Sequence, residues 1–266
     1  MNFETNRAEF DFPTWGGTPN ISYLLLSTPR SGSNMLVRAL WQSGVAGAPE
    51  EYLTKQFMED FSLRFALTKE NLVSENAWRS GAVVAFGSIE EYFRRLMEVR
   101  TSPNGVFGLK MHASHFFLDH LRLTNIRHQL SIEKLVRIRR RDCVKQAISL
   151  ILAKETNQWI VDPEWNSVSQ EKSRPSQSIE YNRKRISNTI QYLNCLELFL
   201  DELVSDWGLP LKTVYYEDLC KDYRKEMFRI FSFIGVPVSE RVDEVNIKRQ
   251  VDQTKAIWYE KYNRET

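Results

Sequence analysis

The stretch Ile21 to Glu51 constrains this chain most. An apolar run, Ile21 to Leu26, has the length of a buried strand. A turn-rich loop follows, Ser27-Thr28-Pro29-Arg30-Ser31-Gly32-Ser33. Beyond it, Met35, Leu36, Leu40 and Trp41 recur at helical spacing, and Gly44 is placed to end the helix. Strand, small-residue loop and helix make a cradle for a phosphate-like anion. The first N–H groups of a helix lack intrahelical partners, and the helix dipole favours negative charge there. Gly32 permits close backbone approach, Ser31 and Ser33 add hydroxyl donors, and Arg30 adds a forked cation. The nucleotide-hydrolase signature, GxxxxGK followed by Ser or Thr, is not met, because the loop has no Lys. On these residues alone, an ordinary polar strand-to-helix turn remains the competing reading.

The 266 residues suffice for one substantial core, and one domain over 1–266 is expected, with 1–20 as an N-terminal arm. Phe10, Phe12 and Trp15 are expected to pack the arm on the body. A net charge of +2 gives no global field for nucleic acid, so any basic site must be local. Cys143, Cys195 and Cys220 have neither metal nor redox spacing, and no apolar run reaches membrane-helix length. A cytoplasmic protein, not integral to a membrane, is expected.

Further along, Phe57, Phe61, Phe65 and Leu67 suggest one amphipathic helix, and Tyr92, Phe93, Leu96 and Val99 another. Gly105 to Met111 reads as a second buried strand leading to Lys110, His112 and His115, with a helix from Phe116 to Gln129. Leu135 to Ile138 reads as a third strand, followed by a helix over 143–157. Residues 160–177 form a long loop, a candidate acceptor lid. A helix over 179–207, a fourth strand from Lys212 to Tyr216, and a helix from Tyr223 to Ile234 complete the pattern. Short apolar strands alternating with helices call for an α/β fold with a mostly parallel central sheet flanked by helices. Ligands of such sheets bind beyond the carboxyl ends of the strands. Three of those ends carry polar clusters: Arg30 to Ser33, Lys110 with His112, and Arg139 to Asp142.

Arg137, Arg139, Arg140 and Arg141 follow an apolar run, and at least two are expected on a solvated face. Ser149 lies two turns into the next helix. Taken with the first loop, these residues resemble the sulfotransferases that use 3′-phosphoadenosine-5′-phosphosulfate (PAPS). The STPRSGS loop looks like that family's 5′-phosphosulfate loop, and Arg141 to Ser149 has the spacing of its 3′-phosphate motif. Val214 to Leu219, with Phe231 to Gly235, looks like its following strand and helix. RSGSNML with GVAGAPEEYL, the RRRD and QAISL segments, and the tail IKRQVDQTKAIWYEKY are similar to the bacterial Stf0 branch.

The resemblance implies a P-loop-like, three-layer sulfuryl-transfer enzyme with PAPS as co-substrate, no metal, and a homodimeric state. It implies that Pro29, Arg30, Ser31, Gly32, Ser33 and Asn34 hold the donor's 5′ end. Arg141 and Ser149 would hold its 3′-phosphate, with Arg140 as the register alternative and Arg249 as a tail contact. Lys110 would neutralise charge on the bridging oxygen. Glu51 and His112 are both candidates for the base, with Glu51 favoured and Glu50 pointing elsewhere. His115 reads as a structural histidine. Tyr52 and Trp159, with Trp165, are candidate contacts for a small, sugar-containing acceptor. A P-loop-type small-molecule kinase and a non-catalytic nucleotide-binding protein are the alternatives.

Overall fold

The computed structural model describes residues 7–65, 67, 89–116, 126–159, 175–237 and 253–265. Four strands, β1 (Ile21–Ser27), β2 (Val106–His112), β3 (Lys134–Arg139) and β4 (Leu211–Tyr215), form one sheet in the order β2-β1-β3-β4. Every pairing is parallel. β1 lies between β2 and β3 and is buried along nearly its whole length. Burial on both faces explains why its sequence is a continuous apolar run rather than an alternating one. The register sets Ser27 beside both His112 and Ile138, so the carboxyl ends of three strands finish level.

Helices cover both faces. In chain order the described helices are α1 (Ser33–Gln42), α2 (Lys55–Arg64), α3 (Ile89–Arg100), α4 (Ala113–Phe116), α5 (Cys143–Thr156), α6 (Arg183–Trp207), α7 (Tyr216–Lys221), α8 (Tyr223–Ile234) and α9 (Gln253–Arg264). One face of the sheet, with Leu24, Leu26, Leu109 and Leu135, packs on Phe57 and Phe61 of α2, Tyr92 and Phe93 of α3, and Leu196 and Leu200 of α6. The other face, with Tyr23, Leu25, Val136 and Val214, packs on Leu36 and Leu40 of α1 and Ile230 and Phe231 of α8. This is the expected three-layer arrangement. A third apolar cluster joins α5, α6 and α9 through Ile148, Ile151, Leu193 and Trp258.

The arm packs as expected. The Phe10 and Trp41 rings lie 5.0 Å apart, and the Phe12 and Trp15 amides donate to Val99 O and Glu98 O. Two boundaries differ. α6 begins at Arg183 rather than near Ile179, because the Asn182 side chain caps it by accepting from the Arg185 amide. Tyr216 leaves the sheet and opens α7. The expected helix over 116–129 lies largely outside the described residues, as do most of the loop 160–177 and Trp165. No described helix is long and apolar enough to cross a membrane.

The arginine run departs from expectation. Arg137 is 2% exposed and is held by Glu197 at 2.6 Å and Asp201 at 2.5 Å, both on α6. Arg139 also reaches Glu197, at 3.0 Å. A guanidinium taken from water needs fixed counter-charges, and α6 supplies them. Of the four arginines, expected to include at least two on a solvated face, Arg141 is exposed, Arg139 and Arg140 are half-buried and Arg137 is buried.

Gly47 closes the approach from α1 toward Glu51. Its φ is 69°, and a Cβ there would lie 2.7 Å from Val106 O. Gly47→Ala is therefore expected to lower the unfolding free energy by about 1–3 kcal/mol, read from urea denaturation. An unchanged midpoint would contradict this packing.

Candidate active site

The loop between β1 and α1 is held in an unusual backbone shape. Arg30 has φ 63° and Gly32 has φ 95°. Left-handed backbone is costly for a residue with a side chain and cheap for glycine. Gly32 is also fixed by a neighbour, since a Cβ there would meet Tyr216 Cδ2 at 2.4 Å. Gly32 occupies the N-cap of α1 and offers no side-chain cap. The amides of the first turn are thus left to the loop and to whatever sits before it.

Cationic and hydroxyl groups crowd this loop. Arg30 Nε donates to Ser149 Oγ at 3.0 Å, and its Nη1 donates to Trp159 O. Arg140 donates to Arg30 O at 3.3 Å and stacks over the Tyr216 ring at 4.8 Å. Burial, and then the nearby Arg140 charge, pull the Arg30 guanidinium down to about 10, against an opposing effect of Tyr216. Ser31 Oγ and Arg140 Nε are buried with no hydrogen-bond partner among the described residues. Buried donors are nearly always satisfied, so such a hydroxyl and such a guanidinium N–H beside Arg30 suit an anion.

The second half of the site lies at the end of β2. Lys110 and His112 are two residues apart, so both point to the face covered by α1. Lys110 is 0% exposed. Its Nζ lies 2.6 Å from Glu51 Oε1 and donates to Asn34 Oδ1 in the first turn of α1. His112 Nε2 lies 3.1 Å from the same Glu51 oxygen, and its Nδ1 is 2.8 Å from Ser27 Oγ. His115 Nε2 faces the other oxygen at 3.5 Å. His115 Nδ1 accepts from the His112 amide, so its ring proton sits on Nε2, toward Glu51. His115, expected as a hydrogen-bonded structural histidine, accepts from the His112 amide and also faces Glu51.

These contacts set the charge states. Burial would raise the Glu51 carboxyl, but Lys110, then His112 and His115, outweigh it and hold it well below the usual carboxylate range. Burial pulls His115 down to about 4, and the Glu51 carboxylate offsets only part of this. Glu50 accepts from the Glu51 amide at 3.0 Å, and burial raises its carboxyl against the opposing charge of Lys110.

Other expected site residues stand apart. Tyr52 is 0% exposed. Its ring packs edge-on against Phe61 at 5.5 Å, and its hydroxyl donates to Ala48 O. It is a core residue, and the expectation that it touches acceptor is corrected. Arg141 pairs with Asp218 through two bonds of 2.7 Å and stacks on the Tyr215 ring at 3.9 Å, away from the loop. Arg140, the register alternative, is the arginine that touches the loop. Trp159 reaches the site through its carbonyl, while its indole N–H donates to Asn157 at 3.3 Å. Arg249 lies outside the described residues. Three contributors were not singled out from sequence: Gln146, Glu197 and Tyr216. Gln146 had a local signal, lying one helical turn before Ser149 in QAISL. Glu197 comes from a distant helix and had none.

A parallel sheet with a polar loop and a buried Lys–Glu pair near its strand ends is the layout of an α/β protein that binds its ligand beyond those ends. The Stf0 sulphotransferase family model matches residues 22–265, and the chain belongs to that family. It is 25% identical over 276 residues to the trehalose 2-sulfotransferase of Mycolicibacterium smegmatis, covering 92% of this chain and 95% of that relative. Among solved structures, it is similar to the sulfotransferase domain of the Synechococcus olefin synthase. That match has a TM-score of 0.48 and 16% identity, over 93% of this chain and 96% of that one. Mouse sulfotransferase SULT7A1, solved with PAP, matches at TM-score 0.42 and 14% identity, over 96% of this chain and 83% of that one.

The depressed His115 carries a pH signature. Between its folded value of about 4 and its unfolded value near 6.5, the unfolded chain binds more protons, so stability falls as pH falls through that window. We expect His115 to contribute a loss of up to about 3 kcal/mol between pH 7 and pH 4, and His115→Gln to flatten that slope. Urea denaturation of both proteins across pH measures it, and parallel slopes would contradict the assignment.

Proposed function

We propose that this sulfotransferase moves a sulfuryl group from PAPS to a hydroxyl of a small, carbohydrate-containing acceptor. One observation carries the reading. Lys110, wholly buried, joins Glu51 to Asn34 and so ties a carboxylate to the first turn behind the anion loop. The sugar acceptor is supported by the trehalose 2-sulfotransferase relative. A cytoplasmic setting and a homodimer belong to the same proposal, resting on three cysteines outside any disulfide and on the family resemblance.

The residues present suit the donor. Ser31 Oγ is a buried donor with no partner among the described residues, and Gly32 lets the loop keep its left-handed turn against the Tyr216 ring. Arg30, Ser31, Gly32, Ser33 and Asn34 would hold the donor's 5′ end, and Pro29 shapes the turn. Ser149 and Arg140 stand beside Arg30 for its second anionic group, with Arg141 and Arg249 as further contacts. When bound, PAPS supplies an activated sulfuryl group whose leaving group is 3′-phosphoadenosine-5′-phosphate (PAP).

The chain's own residues then position and neutralise. Lys110 lies where it can meet negative charge developing near the loop, and no water surrounds it to weaken that field. Glu51 is ionised at neutral pH and accepts the proton of the attacking acceptor hydroxyl. His112 and His115 hold its two oxygens, which fixes the direction in which the carboxylate points. A weakly basic carboxylate serves a loose transition state, where positioning outweighs early proton removal, as in phosphoryl transfer.

Transfer of radiolabelled sulfate from PAPS to trehalose and related sugars tests the reading. Glu51→Gln should lower kcat by about 10²–10⁴-fold while leaving PAP binding intact. Full activity in Glu51→Gln would move the base to His112. PAP binding without transfer to any sugar hydroxyl would overturn the acceptor class.

A further inference from the structure

We infer that Gln146 and Glu197 are positioning residues for the donor loop, holding Thr28 and Pro29 so that Arg30 keeps its left-handed backbone. The inference rests on the donor site proposed above. Thr28 is 0% exposed. Its hydroxyl donates to Glu197 Oε1 at 2.9 Å and accepts from Gln146 Nε2 at 2.9 Å. Gln146 Nε2 also donates to Pro29 O at 2.8 Å. Both amide hydrogens of one buried side chain are therefore spent on two successive loop residues.

The next residue is Arg30, at φ 63°. Such backbone persists where surrounding contacts over-determine it. The contacts come from outside the strand–loop–helix unit itself. α5 supplies Gln146 and, one turn on, Ser149, so the same helix face fixes the loop backbone and the Arg30 side chain. α6 supplies Glu197, whose second oxygen is anchored by Arg137 at 2.6 Å and Arg139 at 3.0 Å. One buried and one half-buried guanidinium thus hold the carboxylate, and its remaining oxygen sets the Thr28 hydroxyl. β3 reaches the donor loop through this relay rather than by its arginines touching the donor.

The test uses PAP binding by calorimetry, with donor and acceptor KM, for the full chain and three variants. Thr28→Val removes the bridging hydroxyl at nearly constant shape, Thr28→Ser keeps it, and Gln146→Leu removes both amide donors. Thr28→Val and Gln146→Leu should each weaken PAP binding about tenfold and raise the donor KM in step, with acceptor KM unchanged. Thr28→Ser should bind like the unaltered chain. A merely structural role would lower melting temperature without that split between donor and acceptor. Should Gln146→Leu fail to fold, Thr28→Val against Thr28→Ser decides alone. Unaltered PAP affinity in folded Thr28→Val and Gln146→Leu would overturn the inference. Failure of the unaltered chain to bind PAP would instead overturn the donor site on which it rests.

Discussion

A lysine with no contact with water holds this site together. Lys110 sits at the end of β2, fully buried, where an unpaired ammonium would be very costly. Its charge is met by Glu51 at 2.6 Å and by the Asn34 side-chain oxygen, Oδ1. Those partners come from different parts of the chain, one after Gly47 and one from α1. Removing either charged member strands the other, so the pair is mutually enforced. It also leaves Glu51 ionised and aimed, which is the state a proton acceptor needs at neutral pH.

The same logic of enforced geometry governs the loop. Arg30 and Gly32 adopt left-handed backbone, and the Tyr216 ring fills the space a side chain at Gly32 would need. α5 and α6 grip the loop from outside through Gln146 and Glu197. The sheet sets the heights of the strand ends, and the helices set the fine positions of the groups upon them. The site is thus a property of the layered fold rather than of one motif.

Much of this was legible in the sequence because it rests on local patterns. The two strands at the heart of the site, β1 and β2, were short apolar runs, and burial on both faces made them so. Lys110, His112 and Ser149 stood out because each lies beside a strand end or at a helical spacing, whereas Glu51 was singled out through the family resemblance. What sequence could not give depends on tertiary placement. Tyr52 follows Glu51 directly, yet its ring turns into the core among Phe57, Phe61 and Phe107. Nothing in the run of four arginines told which would be buried; α6 decides it by bringing Glu197 and Asp201 to Arg137. His115 joined Glu51 only through the turn into α4. The family resemblance supplied the donor, a conclusion that no spacing in the chain dictates by itself.

Hydrogen–deuterium exchange of the chain with and without PAP tests the central claim most directly. The account predicts slowed exchange in the loop and first turn of α1, residues 28–36, and in the start of α5 near Ser149. Protection confined to another basic surface, such as the cleft lined by Lys154, Lys184 and Arg185, would contradict it.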